Sequence, residues 1–272
     1  MFYPKRQLGQ NFLINESVLP TIINAAEIKP GDIVIEIGPG LGILTKALLD
    51  ARAKVFAIEK DFDLIAKLTQ TFGDRKDLKI VHQDALFFDA SHFEKYKVVS
   101  NLPFYIASPI IRKFLESKNP PELMVLMVQK EVAEKIIAKP GNRERGILTL
   151  SVEFYGNAEI IATVSKNSFR PQPKVDAAII KIEPYKLHLP GGGKQVEPKF
   201  VACFFRIVKA GFSAKRQQIH NSLAATLRLP KDQVISMLKK SNIDPQKRAE
   251  DLSLEEWIKL TENFNIINEV SK

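Results

Sequence analysis

The chain has 272 residues, with 40 Lys and Arg against 31 Asp and Glu, a net charge of +9 at pH 7 and 45% hydrophobic residues. Only 13 Gly and a single Cys, Cys203, are present, which excludes a collagen-like or disulfide-stapled chain, and the apolar content excludes disorder as the dominant state. The longest apolar runs, such as Ile33–Ile37 and Leu123–Val128, are too short to span a bilayer, and the first residues lack an apolar core followed by a small-residue cleavage site, so a soluble cytoplasmic protein is expected.

Taken in chain order, 32–37 reads as a buried strand, Leu41–Leu49 as a helix, 54–58 as a second strand and Phe62–Phe72 as a second helix. Leu78–Val81 and Lys97–Ser100 are the third and fourth strands. They are followed by a helix at Ser108–Glu116, a strand at Leu123–Val128 and a helix at Glu131–Ala138. This alternation predicts βαβ units around a mostly parallel sheet. Ala158–Thr163 and Asp176–Ile182 read as a closing antiparallel pair. The Leu189–Lys194 stretch, rich in Gly, marks a boundary, after which only helical spacing remains: 200–209, 216–226, 231–240 and 254–263. The expected division is an α/β domain over 1–187 and a small all-α domain over 195–272.

The charge is concentrated. Residues 199–248 carry 11 basic and 2 acidic side chains, whereas 1–184 carry 25 and 22. A basic stretch so poor in acids points to phosphate contact, against the alternative of a solvated helical face.

The first strand ends in Glu36-Ile37-Gly38-Pro39-Gly40-Leu41-Gly42 and a helix follows. Gly38, Gly40 and Gly42 permit a tight turn and close backbone approach to a ligand, but their spacing is not that of the dinucleotide binders. The second strand ends at Glu59, suited to accept from two ribose hydroxyls, with Lys60 beside it. The third is followed by Asp84-Ala85, where the carboxylate can accept from an adenine amino group. Three strand ends thus suit one adenosine moiety at the carboxyl edge of an open sheet.

The fourth strand runs into Asn101-Leu102-Pro103-Phe104. An adenine N6 is a weak nucleophile because its lone pair is delocalised. A site that methylates it must accept hydrogen bonds from the N6 hydrogens, and the Asn101 side-chain oxygen and the Leu102 carbonyl are suitable acceptors. Pro103 fixes the local φ, and Phe104 offers a face for a base that has left its helix.

These motifs, together with Gly9–Leu13, Phe169–Asp176, Ala210–Arg216 and Asn221–Leu223, resemble the ribosomal RNA adenine N6-dimethyltransferases, which use S-adenosylmethionine. The resemblance runs nearly end to end. It is strongest to the bacterial branch acting on two adjacent adenosines near the 3′ end of small-subunit rRNA. The drug-resistance branch, acting on large-subunit rRNA, shares the core but matches the tail less well. The resemblance implies a class I methyltransferase fold of Rossmann-like type with a seven-stranded sheet, and a monomer acting on rRNA in a partly assembled subunit. It implies that Asn11 and Leu13 line the cofactor site, that Gly38 passes the cofactor backbone, that Glu59 meets its ribose and Asp84 its adenine, and that Asn101 touches both cofactor and target. Lys5, Arg6, Arg170, Lys209, Lys215 and Arg216 are the candidate RNA contacts. Two positions depart from the family pattern: Phe104 stands where Tyr is usual, and Gln217 follows Lys215-Arg216 where the family has a third basic residue. Alternatives are a binding factor without catalysis and a nicotinamide oxidoreductase, the latter opposed by the glycine spacing.

The four His residues lack ligand spacing, so no metal is expected. Cys203 reads as a buried small hydrophobe and Trp257 as a core anchor. The loop 139–146 reads equally as an RNA contact or a solvated turn.

Overall fold

The computed structural model describes residues 10–185 and 197–270, with side chains as far as Phe264. Lys5, Arg6 and the 189–194 turn lie outside the described residues. The chain forms two compact units. One contains the described residues up to 134 together with 155–185, and the other contains 135–154 together with 197–270. Residues 135–154, placed in the α/β domain by sequence, thus group with the C-terminal helices.

The first unit is built on β2 (Ile33–Ile37), β3 (Lys54–Glu59), β4 (Leu78–His82), β5 (Lys97–Asn101), β6 (Leu123–Gln129), β7 (Gly156–Val164) and β9 (Ala177–Pro184), in the order β4-β3-β2-β5-β6-β9-β7. Pairing is parallel from β4 through β6, and only β9 runs against the rest. The fold class is therefore α/β with a mostly parallel seven-stranded sheet, as expected. The interior strand β6 is buried along nearly its whole length, which accounts for its unbroken apolar run. The strand order reverses between β2 and β5, so a crevice opens at their carboxyl ends.

Helices α1 (Leu19–Ala25), α2 (Ile43–Asp50), α3 (Phe62–Phe72) and α4 (Ala107–Leu115) belong to this unit, and α5 (Lys130–Ile136) has its first five residues in it. Asp61 starts α3 by accepting from the Asp63 N–H. Lys97, at the start of β5, donates to the carbonyls of Ala26 and Glu27 and to the Asp32 carboxylate, so its buried ammonium closes the end of α1. A separate two-stranded sheet pairs β1 (Phe12–Leu13) with β8 (Phe169–Arg170), Phe12 opposite Arg170 and Leu13 opposite Phe169.

In the second unit, α6 (Ile147–Tyr155, its last residue in the first unit), α7 (Pro198–Gly211), α8 (Ile219–Leu227), α9 (Lys231–Lys240) and α10 (Leu254–Val270) surround an apolar core. Phe154 packs on Phe204 with ring centroids 4.4 Å apart. Trp257 is fully buried, as expected, and stacks on Phe212. Two readings need correction. Cys203 is half-buried, because it lies at the margin of the α7 apolar stripe rather than in it. Arg145 in the 139–146 loop is neither solvated nor free for RNA. Its guanidinium is buried and makes a two-pronged pair with Glu153 at 2.7 and 2.6 Å, while also donating to the Ala138 and Leu252 carbonyls. Among the described residues no helix is long and apolar enough to cross a membrane.

Candidate active site

A cleft of about 960 Å³, open solvent included, lies at the carboxyl ends of β2, β3, β4 and β5. It is lined from the N-terminal segment by Asn11 and Leu13, from the glycine loop by Gly38 and Gly40, and from the β3 and β4 ends by Glu59, Lys60, Asp84 and Ala85. The loop after β5 contributes Asn101, Leu102, Pro103 and Phe104.

The glycines differ in what they do. Gly38 has φ +64, and a Cβ there would lie 3.3 Å from the Pro103 ring. The loops after β2 and β5 therefore approach closely at the switch point, where an added side chain would crowd the Pro103 ring. Gly40, at φ +59, packs under Phe12, whose ring would lie 2.9 Å from an added Cβ. Gly42 corrects the sequence reading. It lies outside the cleft lining, and its added Cβ would strike Phe72 at 2.6 Å and Leu68 at 2.9 Å. It is the close-packing point between the start of α2 and α3.

Glu59 is buried, and its Oε1 accepts from the Lys60 and Asp61 N–H groups, both at 2.8 Å. Burial holds its pKa above the usual carboxylate range, opposed by those two N–H groups and that of Gly40. The same carboxylate lines the cleft. Asp61 is also buried and accepts from the Gln10 side chain at 2.9 Å, which ties the N-terminal segment to the β3 end. Sequence reasoning missed this role of Asp61, whose signal was its place at the start of a helix. Asp84 accepts from Lys60 Nζ at 2.8 Å and from the Leu86 N–H at 3.0 Å, and the Lys60 bond lowers its pKa. Each carboxylate oxygen keeps a lone pair for a further donor.

The Asn101 side-chain amide makes no hydrogen bond among the described residues, and the Leu102 carbonyl accepts none, whereas the Leu102 N–H donates to Met127. Two acceptors thus stand side by side at the cleft. Phe104 is half-buried, packed on the apolar cluster that includes Leu13 and Phe169 while still lining the cleft. Arg170, Lys209, Lys215 and Arg216 are all exposed. Among the described residues no group of three His, Cys, Asp or Glu side chains comes together in a metal-holding arrangement.

Glu36 is fully buried beneath the glycine loop and accepts from the Thr45 hydroxyl at 2.6 Å. Burial pushes its pKa up to about 8 from the ordinary 4.5, with the nearby Glu59 adding to the rise. Between those pH values the folded protein holds a proton that the unfolded chain has released, so stability falls as pH rises through this window. Glu36→Gln is expected to flatten that slope and to be more stable than the unsubstituted protein at pH 8. Urea unfolding of the ligand-free protein at pH 5.5 and pH 8 measures it, and an unchanged slope would show that Glu36 ionises normally.

A family model described as ribosomal RNA adenine dimethylase matches residues 1–266. The chain belongs to this family. Ribosomal RNA small subunit methyltransferase A of Dehalococcoides mccartyi is 44% identical to this family member over 94% of the chain and 87% of the relative. The protein of the same name from Clostridium botulinum is 42% identical over 94% of the chain and 92% of the relative. A dimethyladenosine transferase from Plasmodium falciparum superposes with a TM-score of 0.77 at 27% identity, covering 94% of this chain and 98% of that one. The 23S rRNA methyltransferase ErmE superposes with a TM-score of 0.69 at 25% identity, covering 94% and 100%.

Proposed function

We propose that this adenine dimethylase transfers methyl groups from S-adenosylmethionine to N6 of two adjacent adenosines in the 3′-terminal hairpin loop of small-subunit rRNA, in a step of ribosome biogenesis. The observation that carries the chemistry is the unpaired Asn101 amide beside the Leu102 carbonyl, at the point where Gly38 and Pro103 meet. The relatives at 42% to 44% identity support the small-subunit substrate.

The residues present fit the cofactor. Gly38 and Gly40, at positive φ, form the tight turn that borders the cleft, the Glu59 carboxylate suits the ribose hydroxyls, and Asp84 suits the adenine amine. Asn11, Leu13, Lys60 and Ala85 complete the walls. When bound, the cofactor supplies an electrophilic methyl on a sulfonium. Asn101 Oδ1 and the Leu102 carbonyl would accept from the two N6 hydrogens in the first transfer, and one of them from the remaining hydrogen in the second, favouring a pyramidal nitrogen with its lone pair available to the incoming methyl. Phe104 stacks the base, and the Pro103 ring fixes the loop. As the new N–C bond forms, the sulfonium S–C bond would break with its electron pair going to sulfur, and the N6 proton, now acidic, would pass to water, so no strong side-chain base is needed. Most of the rate gain is positioning.

Gly40→Ala is expected to weaken S-adenosylmethionine binding about tenfold. The left-handed backbone costs a non-glycine residue roughly 1–2 kcal/mol, and the added methyl displaces Phe12. Calorimetric titration measures the effect, and unchanged affinity would separate the Phe12 contact from the cofactor site.

Arg170, Lys209, Lys215 and Arg216, with Lys5 and Arg6, are the proposed phosphate contacts. Replacing Lys215 or Arg216 with Ala is expected to reduce the salt slope of RNA binding by about 0.7–0.9 each, with equal loss across sequences. A slope that does not change would remove them from the interface.

The function itself is tested with labelled S-adenosylmethionine offered to unmodified small subunits, large subunits and naked rRNA in parallel. The expected product is N6,N6-dimethyladenosine in small-subunit RNA only, approaching four methyls per particle. Label in large-subunit RNA would move the substrate to the ErmE-like reaction. RNA binding without label would make the protein a binding factor.

A further inference from the structure

Seven large apolar side chains are exposed among the described residues, and five of them, Leu41, Phe62, Leu86, Phe87 and Tyr105, follow the carboxyl ends of β2, β3, β4 and β5. The exposed apolar surface of this unit is therefore concentrated around the mouth of the cleft. Phe87 is 77% exposed and Tyr105 56%. Neither ring touches another aromatic ring among the described residues. Phe87 lies outside the cleft lining, whereas Tyr105 sits on its rim, one residue beyond the Asn101–Phe104 loop.

The exposure of Phe87 is not the laxity of a loose loop. Its N–H donates to the Asp84 carbonyl at 2.9 Å, and its carbonyl accepts from the Gln83 side chain at 3.2 Å. The neighbouring carbonyls of Leu86 and Phe88 both accept from Lys113 Nζ, at 2.8 and 2.6 Å. Lys113 is on α4, the helix that Tyr105 leads into, so one ammonium holds the Phe87 loop against the helix that carries the Tyr105 turn. Lys60, in the same region, pairs with Asp84 at 2.8 Å. The Phe87 backbone is thus fixed by hydrogen bonds, and both aromatic faces are left in water beside the site.

We propose that Phe87 and Tyr105 form a stacking platform, at the rim of the cofactor cleft, for the nucleobases that flank the adenosine being methylated. This rests on the function proposed above. An adenosine whose N6 reaches Asn101 has left its own stack, and its neighbours on either side lose a stacking partner at the same moment. A base finds a replacement on any exposed aromatic face, with little regard to sequence. The platform adjoins the proposed target position through the unbroken chain from Asn101 to Tyr105. It offers flat apolar faces rather than a row of cations, which is what an unstacked base needs and what a phosphate does not.

The test uses the full chain and an RNA hairpin whose loop holds two adjacent adenosines, with 2-aminopurine placed on the 5′ or the 3′ side of the pair. Binding to the unsubstituted protein is expected to quench the fluorescence at both positions. Phe87→Ala and Tyr105→Ala are each expected to abolish quenching at one position and to raise the RNA Kd about tenfold. Phe87→Ala leaves the S-adenosylmethionine Kd unchanged. Phe87→Trp and Tyr105→Phe are expected to bind and quench like the unsubstituted protein, and Phe87→Leu is not, because it is apolar without a π face. Quenching that persists in both alanine variants overturns the platform. A Phe87→Leu protein indistinguishable from the unsubstituted one also overturns it, and would mark the ring as an apolar contact for a protein. Methylation with unaltered RNA affinity in the alanine variants would sink the platform and spare the function. Quenching lost on substitution, in a protein that methylates no rRNA, would do the reverse.

Discussion

Asn101→Ala is expected to lower the single-turnover rate of methyl transfer by two to three orders of magnitude, with S-adenosylmethionine affinity reduced far less and the unfolding midpoint nearly unchanged. The rate loss corresponds to about 2.7–4 kcal/mol, the usual worth of one preorganised hydrogen-bonding group aimed at a reacting centre. The fold tolerates the change because the Asn101 amide supports no other residue among those described, while its backbone stays in the ladder opposite Met127. The Leu102 carbonyl survives in the variant, so a residual rate above background is expected. Asn101→Asp keeps an acceptor oxygen and is expected to fall between the two. Turnover of the alanine variant at the unsubstituted rate would remove Asn101 from the chemistry.

Arg145→Met is expected to cost about 3–5 kcal/mol of unfolding free energy, the range found when one partner of a buried pair is removed. The substitution strands the Glu153 carboxylate and leaves the Ala138 and Leu252 carbonyls without their donor. Arg145→Lys is expected to recover little, because an ammonium cannot reproduce the two-pronged bond to Glu153 while reaching two carbonyls. Urea unfolding measures both variants. A loss below 1 kcal/mol would return the 139–146 loop to the solvated, RNA-facing role that its charge suggests.

That loop illustrates where the sequence stops being informative. Lys139, Arg143, Glu144 and Arg145 look alike as solvated charges. Only the folded chain shows that the last of them is swallowed by a partner eight residues on and by a carbonyl more than a hundred residues away. The three loop glycines are a similar case. Gly38, Gly40 and Gly42 are equivalent letters, but the first meets Pro103, the second Phe12 and the third Phe72, and only the first two face the cleft. The α2 start at Ile43 rather than Leu41 follows from the left-handed backbone of Gly42. The α6 helix escaped notice because Leu148 through Val152 are buried on all sides, so no helical period appears in ILTLSVEFY. The helix α1 and the two-residue strands β1 and β8 were also missed, the strands being too short to carry a pattern. What could be read was whatever local rules decide: the alternation of β2 through β6 with helices, the carboxylates Glu59 and Asp84 at strand ends, and the Asn101–Phe104 loop.

The pairing of Phe12 and Leu13 with Arg170 and Phe169 bears on how the cleft comes into being as the chain is made. The floor of the cleft, between the ends of β2 and β5, is complete once the segment through Asn101 has been synthesised. Its wall is not. Phe12, which roofs Gly40, waits for a partner strand that emerges some hundred and fifty residues after it. The earliest segment of the cleft to be synthesised therefore gains its strand pairing late, and in a nascent chain ending short of Phe169 that wall is held by the Gln10–Asp61 bond and the Phe12–Gly40 contact without the β1–β8 ladder.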